Sequence, residues 1–523
     1  MMRRNSRDLF ELISKLSPSE KRAISRAAAA SGGARPSKYG ILFDEIAAQN
    51  EHDEEALQRC AHANDIHDLP GSKRYLYNLI LDQMSKKYWS ETTAGKLRTM
   101  IAHADTLFAR GLYAQARTIL DKARALARRA ESFESLIQIE GIEIRLRMHT
   151  GTPALSAAVV DDGYNALIGV IDRLREVSEL EHLASRMYVL EMSAGRIRDE
   201  SLAREAAGLM QSEAVQRLQH HASPHVQLEW HDLHLRYYRL RSDAARTYFH
   251  SRAKVEVLER HPAFADNYKH RNIFSYGHHL MECIKSGRWL EFEHYRNQLL
   301  SFRGRYPDKQ STINEIETYT TLWGAINRAN PEELSSAIAS AATWLKEDGD
   351  TLELASTIGI LYGLAYGSIL LEDYRTALDW AGNMVHHPHL DQVGDVAVYA
   401  RIINLLIHYE LDNSEVLEHH LRSTFRFLHR RQRMYRVESA LLHFIRQLPH
   451  VFNPAVLREL FIDLRAELRC LSNDPHESGA LEYFAFDAWL TSKIDGRRFI
   501  DVWREERQEV WQDRQHAEVP DEV

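Results

Sequence analysis

The sequence predicts an all-α protein, an α-solenoid of antiparallel helix pairs with an irregular helical N-terminal region. Three observations predict it. Apolar residues recur at helical spacing along almost all of the 523 residues, with no convincing run of the alternation that a half-buried strand requires. The 24 glycines and 13 prolines are few for this length, which favours long helices over the many tight turns of a sandwich or barrel. Beyond residue 92 the helix breaks are evenly spaced, as in a repeat array. A chain this long exceeds one ordinary core, so either several domains or such an array is expected.

The N-terminal region, residues 1–91, opens with "MMRRNSRDLFELISKL", an amphipathic first helix with charges where a signal peptide would need an apolar stretch. "SPSE" follows, in which Ser17 can cap, Pro18 suits the first helical position and Glu20 can complete a capping box. A helix through "KRAISRAAAAS" should run from there to "GGARPS", a flexible linker. Helices resume in "KYGILFDEIAAQ" and "DEEALQRCAHA", and after the polar "NDIHDLPGS" in "KRYLYNLILDQMSKKYW".

The array itself is expected over residues 92–505, with 506–523 as a polar C-terminal tail. One series of breaks falls at Gly111, Pro153, Asp199, Ser242, Gly287, Asn330, Glu372, Asn413, Asn453 and Gly496, at gaps of about 40 to 46 residues. A second series lies between them at Pro224, Pro262, Pro307, Gly349, Pro388 and Pro475. Each unit is therefore read as two helices of roughly 18 to 20 residues that bury their apolar faces against the neighbouring pairs.

"ARGLYAQARTILDKARALA" (109–127) shows how one break would work. Gly111 can take the left-handed conformation that ends a helix, and Tyr113 can pack back across the turn. Ala116, Leu120, Ala123 and Ala127 then share one face of the next helix, where alanine lets two backbones approach. This resembles the tetratricopeptide repeat, which has Gly then Tyr at the turn and small residues where Ala116 and Ala123 stand. "LAYGSILLEDYRTALDWAGNM" matches less fully: Tyr374 and Ala377 fit, Glu372 replaces the glycine and Met384 a small residue. Phe292 and Phe425 stand where small residues would be expected in other units. "KRYLYNLILDQM" (73–84) and "LIHYELDNSEVLEHHLRSTFRFLHRRQRMYRVESALLHFIR" (406–446) also resemble a family of bacterial helical-repeat proteins without an assigned activity. The resemblance implies a right-handed solenoid and no chemistry.

Composition and motifs exclude several function classes. The net charge of −8 gives no overall bias toward nucleic acid or an anionic membrane, and no apolar run approaches a membrane span. Cys60, Cys283 and Cys470 lie far apart, which fits a reducing, cytoplasmic setting and argues against a disulfide framework or zinc motif. There is no phosphate-binding glycine loop, no HExxH and no nucleophile elbow, so neither a cofactor nor catalysis is expected. Among the 28 histidines, His386, His387 and His389 with Asp391 are the best metal candidates, yet they read as exposed connector residues.

The most distinctive local chemistry is "LRSTFRFLHRRQRMYR". On one continuous helix Arg422, Arg426, Arg430, Arg433 and Arg436 would form a single basic stripe, with Leu421, Phe425, Leu428 and Tyr435 packed on the opposing side. Arginine forks grip carboxylates and phosphates bidentately, so the stripe is a candidate partner-binding surface. The competing expectation is that it pairs with Glu410, Glu415 and Glu418. The leading functional expectation is a protein-protein interaction adaptor or scaffold holding a partner segment in the solenoid groove. The alternative is a DNA-linked regulator whose helical N-terminal region contacts nucleic acid while the solenoid senses a peptide; an enzyme is the least favoured reading.

Overall fold

The computed structural model describes residues 4–30, 37–150, 156–349 and 352–515; among these are twenty-six α-helices, a few short 3-10 turns and no strand. The glycine-rich stretch 31–36, the break at Pro153 and the segment 516–523 lie outside the described residues. The chain divides into two compact units, Met1–Arg128 with Ser132–Leu167, and Arg129–Glu131 with Ile168–Val523.

The first unit contains α1 (Arg4–Ser14), α2 (Pro18–Ala30), α3 (Lys38–Ala47), α4 (Glu54–Ala63), α5 (Leu69–Glu91), α6 (Thr93–Ala109), α7 (Tyr113–Arg129) and α8 (Phe133–His149), then the start of α9 (Ala157–Ala194). Its helix starts follow local capping chemistry. The Glu20 backbone N–H donates to Ser17 Oγ (3.3 Å) and the Ser17 N–H to the Glu20 carboxylate (3.0 Å), completing the expected box. Asp53 and Asp68 accept from the N–H groups of Ala56 and Gly71, both at 2.9 Å, to start α4 and α5. Leu9, Ile13, Ile24, Leu42, Phe43, Leu76 and Ile80 form the core these helices share. Because α5 packs against α6, residues on both sides of position 91 belong to one compact unit.

At the turn before α7, Gly111 has φ +75°, and Leu112 N–H reaches Leu107 O at 3.0 Å, the bond that closes a Schellman cap. Tyr113 lies against Phe108, with ring centroids 5.5 Å apart. Ala116, Leu120, Ala123 and Ala127 are all fully buried.

The second unit continues with α10 (Glu200–Met210), α11 (Glu213–Arg217), α12 (Pro224–Leu240), α13 (Ala244–Arg260), α14 (Pro262–Asn267), α15 (Lys269–Ser286), α16 (Trp289–Arg305), α17 (Gln310–Arg328) and α18 (Pro331–Asp348). Then come α19 (Leu354–Leu370), α20 (Tyr374–Val385), α21 (Gly394–Glu410), α22 (Ser414–Arg430), α23 (Arg436–Gln447), α24 (Pro454–Leu471), α25 (Phe486–Asp495) and α26 (Phe499–Gln515). Left-handed residues end helices at or beside the expected breaks: Ser242, Gly287, Ala329, Glu372, Asp412 and Gly496. After three of them the next side chain starts the following helix. Asp243, Asn330 and Asp373 accept from Arg246 N–H (3.0 Å), Glu333 N–H (2.9 Å) and Thr376 N–H (3.2 Å). From α12 to α23 the helices pack largely on their next and next-but-one neighbours. Ala377 is fully buried there, and Tyr374 packs at the edge of the same core.

Three features depart from an array of equal pairs. First, α9 runs unbroken for 38 residues, whereas α11 and α14 have only 5 and 6. Second, residues 506–515, expected in a polar tail, continue α26, which packs on α15 and α17. Arg504 Nε donates to Ala329 O (2.9 Å) and Arg507 Nη2 to Lys285 O (2.9 Å), supplying cations to carbonyls at the C-terminal ends of α17 and α15. Third, residues 195–198 reach α21, α23 and the segment before α25, so burial against adjacent pairs alone does not describe this unit. No helix among the described residues is long and apolar enough to cross a membrane.

Candidate functional site

The five arginines of "LRSTFRFLHRRQRMYR" do not form one stripe. α22 ends at Arg430 because Gln432 turns left-handed (φ +54°) and Arg433 N–H reaches Leu428 O at 3.0 Å, another Schellman cap. Past that turn, Arg433 donates to Ser193 O (2.6 Å) and Ala194 O (2.9 Å), capping the C-terminus of α9, and to the Asp395 carboxylate (3.2 Å). Arg436, the first residue of α23, pairs with Asp474 at 3.2 Å. Arg433 is thus taken up inside the fold and Arg436 by a surface pair, which leaves Arg422, Arg426 and Arg430 on the surface of α22.

On α22, Leu417, Thr424, Phe427 and Leu428 face the core, which turns Arg422, Arg426, His429 and Arg430 outward. Phe425, expected to pack between repeats, is instead 52% exposed among these cations, its ring stacked with His429 at 6.4 Å. Of the three glutamates expected to neutralise the arginines, Glu418 meets Arg422 at 3.8 Å, a surface i,i+4 pair of small worth. Glu410 instead accepts from Trp489 Nε1 (2.7 Å) and Lys493 Nζ (2.6 Å). Among the described residues no carboxylate pairs with Arg426 or Arg430.

The loop histidines do not converge either. His386 Nδ1 contacts Gly382 O (2.8 Å), His387 Nδ1 accepts from the His389 backbone N–H (3.3 Å), and Asp391 is held by Arg401 (3.1 Å) and Arg431 (3.4 Å). An open depression of about 540 Å³ beside α9 is lined by Arg175, Glu179, His182 and Arg217, where Arg217 already pairs with Glu179.

Sequence reasoning missed the polar interior of the second unit. Arg198, its side chain 1% exposed, donates to Glu438 (2.9 and 3.0 Å) and Glu477 (2.8 Å) and lies over the Tyr435 ring. Asp395 is buried beside it; burial raises its carboxyl to about 6 despite Arg433 and Arg198. Around α12 and α13, Glu191 accepts from Arg236 and Arg239 at 3.0 Å, and Asp232 accepts from Arg236 and Lys254. Burial alone would raise Asp232, but Lys254 and Arg236 hold it below the usual carboxylate range.

Histidines pack alongside this network. His231 and His250 meet through their Nδ1 atoms at 3.0 Å, and the His250 ring stacks on His234 and Tyr238. Burial lowers His231 to about 3, His234 to about 4 and His250 to about 2, so all three are neutral near pH 7.

Two groups have the composition of a metal site. Glu181, His225 and Glu229 lie together, but Arg271 pairs with both carboxylates. His279, Cys283 and Glu291 form the other, with the cysteine and histidine fully buried.

The chain matches no protein-family model, no curated protein and no solved structure.

Proposed function

We propose that this chain is a protein-interaction adaptor, built as a right-handed, tetratricopeptide-like solenoid of antiparallel helix pairs, that recognises an acidic segment of a partner protein. The left-handed caps between residues 242 and 496 and the packing of α12 to α23 on near neighbours support the repeat reading. Ala116 and Ala377, buried where the repeat carries small residues, support it further.

One observation carries the functional reading. In a chain of net charge −8, Arg426 and Arg430 stand exposed beside a half-exposed Phe425, and no carboxylate among the described residues pairs with them. Arginine and aromatic side chains together are the residue types that dominate binding energy at protein interfaces. Such a surface suits a segment carrying carboxylates or phosphates next to an apolar anchor.

The test is charge reversal. Arg426→Glu with Arg430→Glu should leave the circular dichroism spectrum and Tm unchanged, because neither side chain pairs internally. A partner recovered with the unmodified chain, presented as its acidic segment in a synthetic peptide, should bind the variant at least about tenfold more weakly, roughly 1.4 kcal/mol. Affinity for the unmodified chain should also fall with salt. Equal affinity for both chains would remove this surface and the reading built on it.

A further inference from the structure

We propose that His279 Nε2, Cys283 Sγ and a Glu291 carboxylate oxygen form a binding site for a thiophilic divalent cation, with zinc as the expected ion. This goes beyond the adaptor reading and does not depend on it.

The three ligand atoms lie within 4.8 Å of one another. His279 and Cys283 are one turn apart on α15, so helical geometry puts them on the same face. Glu291 comes from α16, brought opposite them by the turn at Gly287 (φ +67°). Cys283 Sγ and His279 Nε2 are 3.6 Å apart. A sulfur at about 2.3 Å and an imidazole nitrogen at about 2.0–2.1 Å from one tetrahedral zinc stand about 3.6 Å from each other. The spacing of these two ligand atoms therefore matches that of a zinc-bound pair.

The surrounding groups also suit a ligand set. Ser251 Oγ donates to Tyr248 O at 2.8 Å, which commits its one hydrogen. Its 2.9 Å contact with His279 Nδ1 must then be accepted from an Nδ1–H, and that tautomer leaves the Nε2 lone pair facing Cys283. A histidine fixed through its other nitrogen is the usual partner arrangement around a bound metal. Tyr248 OH donates to Glu291 Oε2 and orients the carboxylate in the same way.

Charge is consistent too. Cys283 thiolate and Glu291 together carry the two negative charges that a divalent ion neutralises, while Arg288, 3.8 Å from Glu291, stabilises the carboxylate when no ion is bound. Cys283 is fully buried, so its thiol has no solvent access. A divalent cation is bound by the thiolate rather than the thiol. Thiolate, imidazole and carboxylate together suit zinc better than magnesium or calcium. Three protein ligands leave a fourth position for water, and the ion would tie α15 to α16 across their turn.

The test uses the full chain with Cys60→Ser and Cys470→Ser, so that Cys283 is its one thiol. After treatment with a chelator, the folded protein is titrated with Co²⁺. The expected result is one equivalent bound per chain, a thiolate-to-cobalt charge-transfer band in the near ultraviolet, displacement by Zn²⁺ and a raised Tm. Adding Cys283→Ser should abolish the band. Glu291→Gln, which keeps the thiolate and nearly the same shape, should retain the band while weakening Co²⁺ at least tenfold. The proposal is overturned if the folded background chain binds no Co²⁺, or if uptake and spectrum survive Cys283→Ser; unchanged affinity in Glu291→Gln would overturn the assignment of Glu291 as a ligand.

Discussion

Arg198 sits in "SAGRIRDE", where nothing local distinguishes it from a solvated surface arginine. Its partners, Glu438 and Glu477, lie 240 and 279 residues further along the chain, and no pattern within a helix or turn could have paired them. With both glutamates buried, removing the cation leaves them only neutral donors, Tyr399 OH for Glu438 and the Arg436 and Val437 N–H groups for Glu477, which costs far more than the ion pair itself contributes. Arg198→Met should therefore destabilise the second unit by about 3–5 kcal/mol, read as a lowered urea midpoint. Arg198→Met with Glu438→Gln should recover part of that loss, because the neutral amide no longer demands a counter-charge. A single-variant cost below about 1 kcal/mol would mean that water reaches the carboxylates. Cys283 was hidden for a related reason. Zinc-motif spacing is defined by paired cysteines and histidines, and here one of the three groups is a glutamate on the next helix.

Helix ends were legible because capping is local chemistry. Ser17 with Glu20, Asp68, Asp243 and Asn330 all cap where a small polar side chain precedes a helical pattern. At Gln432 the side chain gives no signal for a left-handed turn, so whether the stripe ran through a break between His429 and Met434 was open in the sequence. Glycine alone does not end a helix: Gly163 and Gly169 sit inside the 38-residue α9. Two glycines of the first unit test the capping argument with one substitution of opposite sign. A Cβ on either Gly111 or Gly141 would meet nothing within 4 Å, so packing does not enter. Gly111 is left-handed at φ +75°, and Gly111→Ala should cost about 1–2 kcal/mol in backbone strain. Gly141 is inside α8, and Gly141→Ala should stabilise by about 0.5–1 kcal/mol through helix propensity. Thermal unfolding of both variants decides it: two shifts of the same sign would contradict the assigned backbone conformations.

At the scale of the second unit, the abundance of histidine has a consequence that its sequence positions concealed. His231, His234 and His250 meet between α12 and α13, and His225, at the start of α12, is buried against Phe264 and Tyr268. Burial lowers His225 and His231 to about 3, His234 to about 4 and His250 to about 2. Arg271 faces His225; Lys254 and Arg260 face His231; Arg246 faces His250; each cation further disfavours the protonated ring. His250 Nε2 is buried and, among the described residues, has no hydrogen-bond partner to receive from a new N–H. Each folded value lies below the ordinary 6.5, so below that pH the unfolded chain binds more protons than the folded one. The stability these rings contribute is then fully present above about pH 6.5 and is lost as pH falls toward 4 and 3, at up to about 1.4 kcal/mol per pH unit for each ring. Asp395, raised to about 6, Glu506, raised to about 8, and Glu315, also raised by burial, work the other way and favour the folded state as they protonate, but the lowered histidines, His278 among them, outnumber them. Asp232, held low by Lys254 and Arg236, adds its loss only below the ordinary carboxylate range. The urea midpoint of the second unit should accordingly fall between pH 6.5 and 4.5, the more numerous lowered rings outweighing the raised carboxyls. A midpoint unchanged across that interval would show that these histidines are hydrated and titrate normally.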